Sequence, residues 1–158
     1  GKPSPLGMCI KNGIIYGDYM TSYSVMAVKK DGTIYTPAQG LMGKNLLAVG
    51  VKDTYNFGPV LIKDGEAQLP WAETEKYYPR TAVGMVKPND YVLLVTDTGS
   101  YNGLNHWDMV NIFKFYGCTY AYNLDGGGSA TLYFNGKVMN KLIGNTQRPC
   151  ADFLYFTR

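Results

Sequence analysis

The stretch Asn123-Leu124-Asp125-Gly126-Gly127-Gly128-Ser129-Ala130-Thr131 puts a carboxylate, two hydroxyls and three consecutive glycines into nine residues. Glycine loses more backbone freedom on folding than any other residue, so a run of three belongs where a side chain would block a positive φ or the close approach of a ligand. Successive backbone N–H groups in such a turn can form a concave nest for an anion. Asp125 offers a general acid or base beside it. A second carboxylate, Asp97, closes the apolar run Tyr91–Thr96, and Arg80 stands between Pro79 and a run that begins at Thr81. An arginine fork donates two parallel hydrogen bonds, which suits an anion. Arg148, before Pro149, has the same chemistry. Each residue also has a plainer use: an aspartate caps turns by accepting backbone N–H bonds, and an arginine suits an exposed surface.

The sole histidine, His106, invites a Ser129–His106–Asp triad. Ser129 is not in a G-x-S-x-G elbow, and a hydroxyl after three glycines is better suited to an anion. The chain carries neither a GxGxxG fingerprint nor a P-loop. No cofactor is required by these residues. Asp125, Asn123 and nearby carbonyls are compatible with Ca²⁺ or another hard divalent cation, which takes oxygen ligands, although no loop has EF-hand spacing.

The elements that must position these groups are marked by turns. Asn12-Gly13, Asp31-Gly32, Asp64-Gly65 and Asn135-Gly136 separate β-rich runs, and such pairs favour type I′ hairpins because both central positions take φ > 0. Strands are expected at Thr81–Val86, Tyr91–Thr96, Tyr120–Leu124 and Asp152–Phe156. The fourteen tyrosines favour strands as well. One main helix is expected at about 106–116, with Asn105 as N-cap, Asp108 completing a capping box and Gly117 as the stop. A short helical turn fits Lys44–Val49, and Pro70 to Pro79 reads as a loop. The run Tyr91–Thr96 reads as a strand buried on both faces. If it is a parallel neighbour of Tyr120–Leu124 across the helix, Asp97 and Asp125 meet at one sheet edge, where open α/β sheets place ligands. A carboxylate-only glycosidase using that pair is then a further reading, which the carboxyl separation tests. Hairpins in one half and a strand–helix–strand unit in the other make the chain α+β.

A chain of 158 residues suits one domain with a sizeable core. Apolar content of 46% and charged content of 17% exclude a disordered chain. The net charge of +3 is scattered, so no nucleic-acid partner is expected. No apolar stretch approaches the ~20 residues that span a bilayer, and the opening Gly1-Lys2-Pro3-Ser4-Pro5 is not a signal peptide. Cys9, Cys118 and Cys150 form no CxxC pair, which argues against a zinc knuckle. They read as buried thiols, with one disulfide plus a free thiol as the alternative.

Taken in order, several segments resemble the phosphodiester glycosidase family. They are Ser4-Pro5-Leu6-Gly7, Phe57-Gly58-Pro59-Val60-Leu61 with Asp64-Gly65, Pro79-Arg80-Thr81-Ala82-Val83-Gly84, Gly103-Leu104 with Asp108, Asn123 to Ser129, and Arg148. The resemblance spans nearly the whole chain. It implies hydrolysis of a sugar-1-phosphodiester to free sugar and a phosphomonoester, with an extracellular or cell-envelope bacterial glycan phosphodiester as substrate. It places Arg80, Asp125, Gly126, Gly127, Gly128 and Ser129 in the active-site region, flanked by Thr81, Asn123 and Thr131. Asp125, Arg80 and Asp97 are the candidates for catalysis. Arg80, Thr81, Asn123, the three glycines, Ser129, Thr131 and Arg148 are the candidates for substrate and phosphate binding. Two features depart from the family pattern. An Asn-Gly-containing strand that usually precedes the segment matching Gly1–Gly7 lies outside this sequence, either absent from the domain or present as a separate or cleaved N-terminal segment, and Asp97-Thr98-Gly99 stands where Asp-Gly-Arg is common. A non-catalytic module binding phosphorylated glycans on the same fold is the alternative these departures leave open.

Overall fold

The computed structural model describes residues 4–68, 76–97 and 103–157. Two antiparallel sheets stack at its centre. The larger has the strand order β7-β6-β10-β8-β9, built from β6 (Val60–Lys63), β7 (Glu66–Ala67), β8 (Thr81–Lys87), β9 (Asp90–Val95) and β10 (Tyr120–Leu124). The smaller has the order β4-β3-β5, from β3 (Ser24–Lys29), β4 (Ile34–Tyr35) and β5 (Val51–Phe57). Two further hairpins lie outside them: β1 (Cys9–Lys11) with β2 (Ile14–Gly17), and β11 (Tyr133–Phe134) with β12 (Lys137–Val138). The helices are α1 (Gly43–Ala48) and α2 (His106–Phe115). Twelve strands in antiparallel sheets with one main helix confirm the α+β class among the described residues. No helix among them is long and apolar enough to cross a membrane.

Three apolar clusters hold these layers together. Met109, Val110 and Phe113 of α2 pack on Leu61, Ile62, Ala82 and Ala121 of the large sheet. The opposite face presents Val83, Met85, Tyr120 and Tyr122 to Met26, Ile34 and Tyr55 of the small sheet. Beyond that, Ala27 and Val51 meet Met8, Ile10 and Leu46. The Tyr122 hydroxyl is buried with its ring. It donates to the Ser24 carbonyl at 2.6 Å and accepts the Phe57 N–H at 2.9 Å, which ties the two sheets together.

All four X-Gly turns close hairpins. At Asn12-Gly13, Asp64-Gly65 and Asn135-Gly136 both residues have positive φ, as type I′ requires. At Asp31-Gly32 only the glycine does, and Asp31 Oδ1 instead accepts the Thr33 N–H at 2.8 Å. Asn105 caps α2 by accepting the Asp108 N–H at 2.8 Å.

The structure corrects four expectations. First, β9 and β10 are not neighbours. A turn at Pro88-Asn89, with Asn89 at φ 65°, folds β9 back on β8, and β10 takes the other side of β8. Both strands run antiparallel to β8, so they point the same way with β8 between them. Second, β9 is an edge strand rather than a strand buried on both faces, and Leu93 is 47% exposed. Third, Asp152–Phe156 forms no strand and is held by side chains. Asp152 pairs with Lys11 at 2.9 Å, Leu154 enters the inter-sheet core, and the Phe156 ring packs on Tyr91 at 5.2 Å. Fourth, all three thiols are free, but only Cys9 and Cys118 are buried while Cys150 is exposed. The expected loop Pro70–Pro79 falls outside the described residues up to position 75, and Thr98-Gly99-Ser100 lies outside them entirely.

Candidate active site

Strand order brings three of the candidate residues to one edge of the large sheet. Leu124 pairs with Thr81, and Thr81 pairs with Val95. One step further along both ladders sets Asp125 beside Arg80, with Thr96 on the other flank. The Arg80 N–H donates to Thr96 Oγ1 at 2.9 Å, and the Thr96 N–H donates to the Arg80 carbonyl at 2.9 Å. The Gly127 N–H reaches the Pro79 carbonyl at 2.8 Å. The three chain segments are therefore stitched together at the level of Arg80.

Arg80 is half-buried at this edge. Its Nε donates to the Leu104 carbonyl at 3.1 Å and its Nη2 to the Lys76 carbonyl at 3.0 Å, while its Cζ lies 5.3 Å from the centre of the Tyr78 ring. Burial lowers its pKa and Tyr78 opposes that shift; a guanidinium stays charged throughout the physiological range.

Asp125 is exposed and both its oxygens are engaged. Oδ1 accepts the Gly126 N–H at 2.9 Å and Oδ2 accepts the Ser129 hydroxyl at 2.7 Å. The ion pairs among the described residues, Lys11–Asp152 and Lys52–Asp53, lie elsewhere. Arg80 and Asp125 thus sit one residue beyond the ends of the adjacent strands β8 and β10 without forming an ion pair. Each is held by uncharged partners.

The glycine run has a specific geometry. A Cβ on Gly126 would collide with the Pro79 carbonyl oxygen, and Gly127 has φ +56°. A Cβ on Gly128 would meet the Arg148 side chain at 3.4 Å. The second arginine therefore lies against Gly128. The expected row of free N–H groups is largely spent. Gly126 donates to Asp125, Gly127 to Pro79, Ser129 to the Gly126 carbonyl and Ala130 to the Gly127 carbonyl. The Gly128 N–H takes no part in these bonds. A single-turn 3₁₀ helix at Gly127–Ser129, rather than an open nest, is what the run builds.

The other candidates lie around this edge. Asn123 is buried and clamps the turn between the sheets: its Nδ2 donates to the Gly58 carbonyl at 2.7 Å, and its backbone bonds Gly58 and Pro59. Its Oδ1 and the Thr81 hydroxyl are buried and accept no bond among the described residues. Strand alternation turns Thr81 to the face opposite Arg80. Thr131 follows the glycine turn, half-buried. Asp97 anchors the far side of the site, with Oδ2 accepting the Lys141 N–H at 3.0 Å just beyond β12. It stands two strand spacings from Asp125, about 10 Å, and one residue out of step in the ladder. Among the described residues no group of three or more His, Cys, Asp or Glu could hold a metal ion. Sequence reasoning missed Leu104 and Lys76 as partners of Arg80, because backbone carbonyls leave no mark in residue types.

The sequence profile of the phosphodiester glycosidase family matches residues 1–157, and the chain belongs to that family. It is 30% identical over 160 residues to the SPbeta prophage-derived uncharacterized protein YomE of Bacillus subtilis, covering 94% of this chain and 25% of YomE. It is 41% identical over 58 residues to the mouse N-acetylglucosamine-1-phosphodiester alpha-N-acetylglucosaminidase, covering 36% of this chain and 11% of that protein. The fold matches the catalytic domain of the zebrafish enzyme of that name, auto-inhibited by its pro-peptide, with a TM-score of 0.70 at 22% identity, over 93% of this chain and 55% of that one. The chain thus spans about a quarter of YomE's length.

Proposed function

We propose that this chain hydrolyses a sugar-1-phosphodiester, releasing the sugar and a phosphomonoester. The carrying observation is the adjacency of Arg80 and Asp125 at one sheet edge without an ion pair between them. A phosphodiester is an anion, and breaking its sugar–oxygen bond builds a second negative charge on the phosphate. A fixed guanidinium stabilises that developing charge. The departing phosphomonoester is a good leaving group, with a second pKa near 6, so the demanding proton transfer is from the attacking water. Asp125 is the general base for that water, and the Ser129 hydroxyl fixes its orientation. Arg148 adds a second positive charge across the glycines. Asp97 supports the arrangement by holding the segment after β12. An extracellular or envelope glycan supplies the substrate.

The assay is release of free sugar from a sugar-1-phosphodiester by wild type, Arg80→Ala and Asp125→Asn. Wild type should turn over, with each variant reduced at least about 100-fold, the size of one oxyanion or acid–base contribution. Equal background rates for all three would refute the enzyme. In ¹⁸O-labelled water the label should enter the sugar; label in the phosphate would move the attack to phosphorus. A second reading, a non-catalytic module for phosphorylated glycans, gains support from the full hydrogen-bonding of Asp125. It predicts saturable binding of a sugar phosphate without turnover.

A further inference from the structure

The pose of Arg80 is inherited from the entry to α2. The Leu104 carbonyl accepts two bonds, from Arg80 Nε at 3.1 Å and from the Tyr78 N–H at 3.2 Å. In return the Leu104 N–H donates to the Tyr78 carbonyl at 3.0 Å, which closes an isolated antiparallel bridge. The bridge needs a residue without a side chain at position 103. Gly103 has φ +96°, and a Cβ there would collide with the Tyr78 carbonyl group. Leu104 itself packs into the core beneath α2, and the next residue, Asn105, caps that helix. Tyr78, 49% exposed, then lays its ring beside the guanidinium. The two carbonyl bonds leave Nη1 and the second Nη2 proton for a ligand.

We infer that Gly103 and Tyr78 are positioning residues for phosphate recognition: they fix the guanidinium while touching no substrate themselves. This rests on the reading that Arg80 grips the phosphate. An arginine side chain has many rotamers, and ordering them at folding removes that cost from binding. The carbonyls of Leu104 and Lys76 set the guanidinium plane, and the Tyr78 ring face favours the cation near it.

The test is calorimetric binding of inorganic phosphate to wild type, Gly103→Ala, Tyr78→Leu and Tyr78→Phe, with Tm measured for each. Gly65→Ala, in the β6–β7 turn at φ +80°, carries similar backbone strain away from Arg80. Gly103→Ala should weaken phosphate about 10-fold or more, the range lost when an oriented group is misplaced. Tyr78→Leu should weaken it about 2–5-fold, as for an exposed cation–π contact. Tyr78→Phe should stay within about two-fold because it keeps the ring. Gly65→Ala should lower Tm and leave phosphate affinity alone. If Gly103→Ala does not fold, the Tyr78 pair carries the test. Wild-type affinity in both Gly103→Ala and Tyr78→Leu overturns the positioning role, as does an equal loss in Gly65→Ala. A wild type that neither binds phosphate nor releases sugar overturns the reading of Arg80 beneath it.

Discussion

The Ser129 hydroxyl donates to Asp125 Oδ2 at 2.7 Å, closing over the single 3₁₀ turn Gly127–Ser129. The bond fixes one carboxylate oxygen and leaves the group exposed at the mouth of the sheet edge. Ser129→Ala should free Asp125 to rotate and reduce turnover about 10-fold, or about 1.4 kcal/mol, as for a hydrogen bond to a charged group. Tm should hardly move, because the pair is exposed. An unchanged kcat would remove Ser129 from the orientation of Asp125.

Arg148 approaches the glycine run from solvent. An exposed cation contributes modestly, so Arg148→Ala should raise KM about 2–5-fold with kcat little changed. The effect should fade at high salt, where exposed charges are screened. A loss of kcat as large as that of Arg80→Ala would instead place Arg148 on the reacting phosphate.

Tyr122 joins the sheets through its hydroxyl. Tyr122→Phe keeps the ring but strips the partner from the Phe57 N–H and the Ser24 carbonyl. The expected cost is about 1–3 kcal/mol, read as a lower denaturant midpoint at unchanged m-value. Equal midpoints for the two proteins would show that the hydroxyl contributes nothing to the joint.

Burial pushes the Cys118 thiol up to about 11 and raises that of Cys9 as well, whereas Cys150 is exposed. Alkylation of the folded protein at pH 8 should therefore mark Cys150 alone, and denaturation should release the other two thiols. Two adducts on folded protein would show that a buried thiol is accessible. The sign for stability follows. The unfolded Cys118 ionises near the ordinary thiol value of 9.0 while the folded thiol holds its proton to about 11. Unfolding is therefore favoured progressively as the pH rises between those values.

The hairpin turns and the capped helix were legible because their signals are local. Asn-Gly and Asp-Gly pairs read as hairpins and Asn105 with Asp108 as a helix start, and all formed as such. The order of strands in the large sheet was not legible. The turn at Pro88-Asn89 lacks a following glycine, and α2 carries the chain across β8 by packing that no short window contains. Asp125 and Arg80 stood out as candidates through their residue types. The bond from Ser129 to Asp125 was within reach too, since i and i+4 meet in a tight turn. The neutral partners of Arg80 were not, because main-chain carbonyls are common to every residue. The tail 152–156 misled for a related reason: its aromatic residues suit a strand, but side-chain anchors hold it without a ladder.

β10 is bonded on both sides and sends alternate side chains into two different cores. Asp125 stands one residue past the end of that strand, so it behaves like a tool mounted on an anvil. In the proposed site the segment from Ser129 to Arg148 works as the jaw, pinned to the anvil at Asp97 through Lys141. A change of guest can be met by recutting the jaw while the anvil stays as it is. Relatives that act on different sugars should accordingly diverge after residue 129 and keep the spacing between Arg80 and Asp125 fixed by the shared ladder.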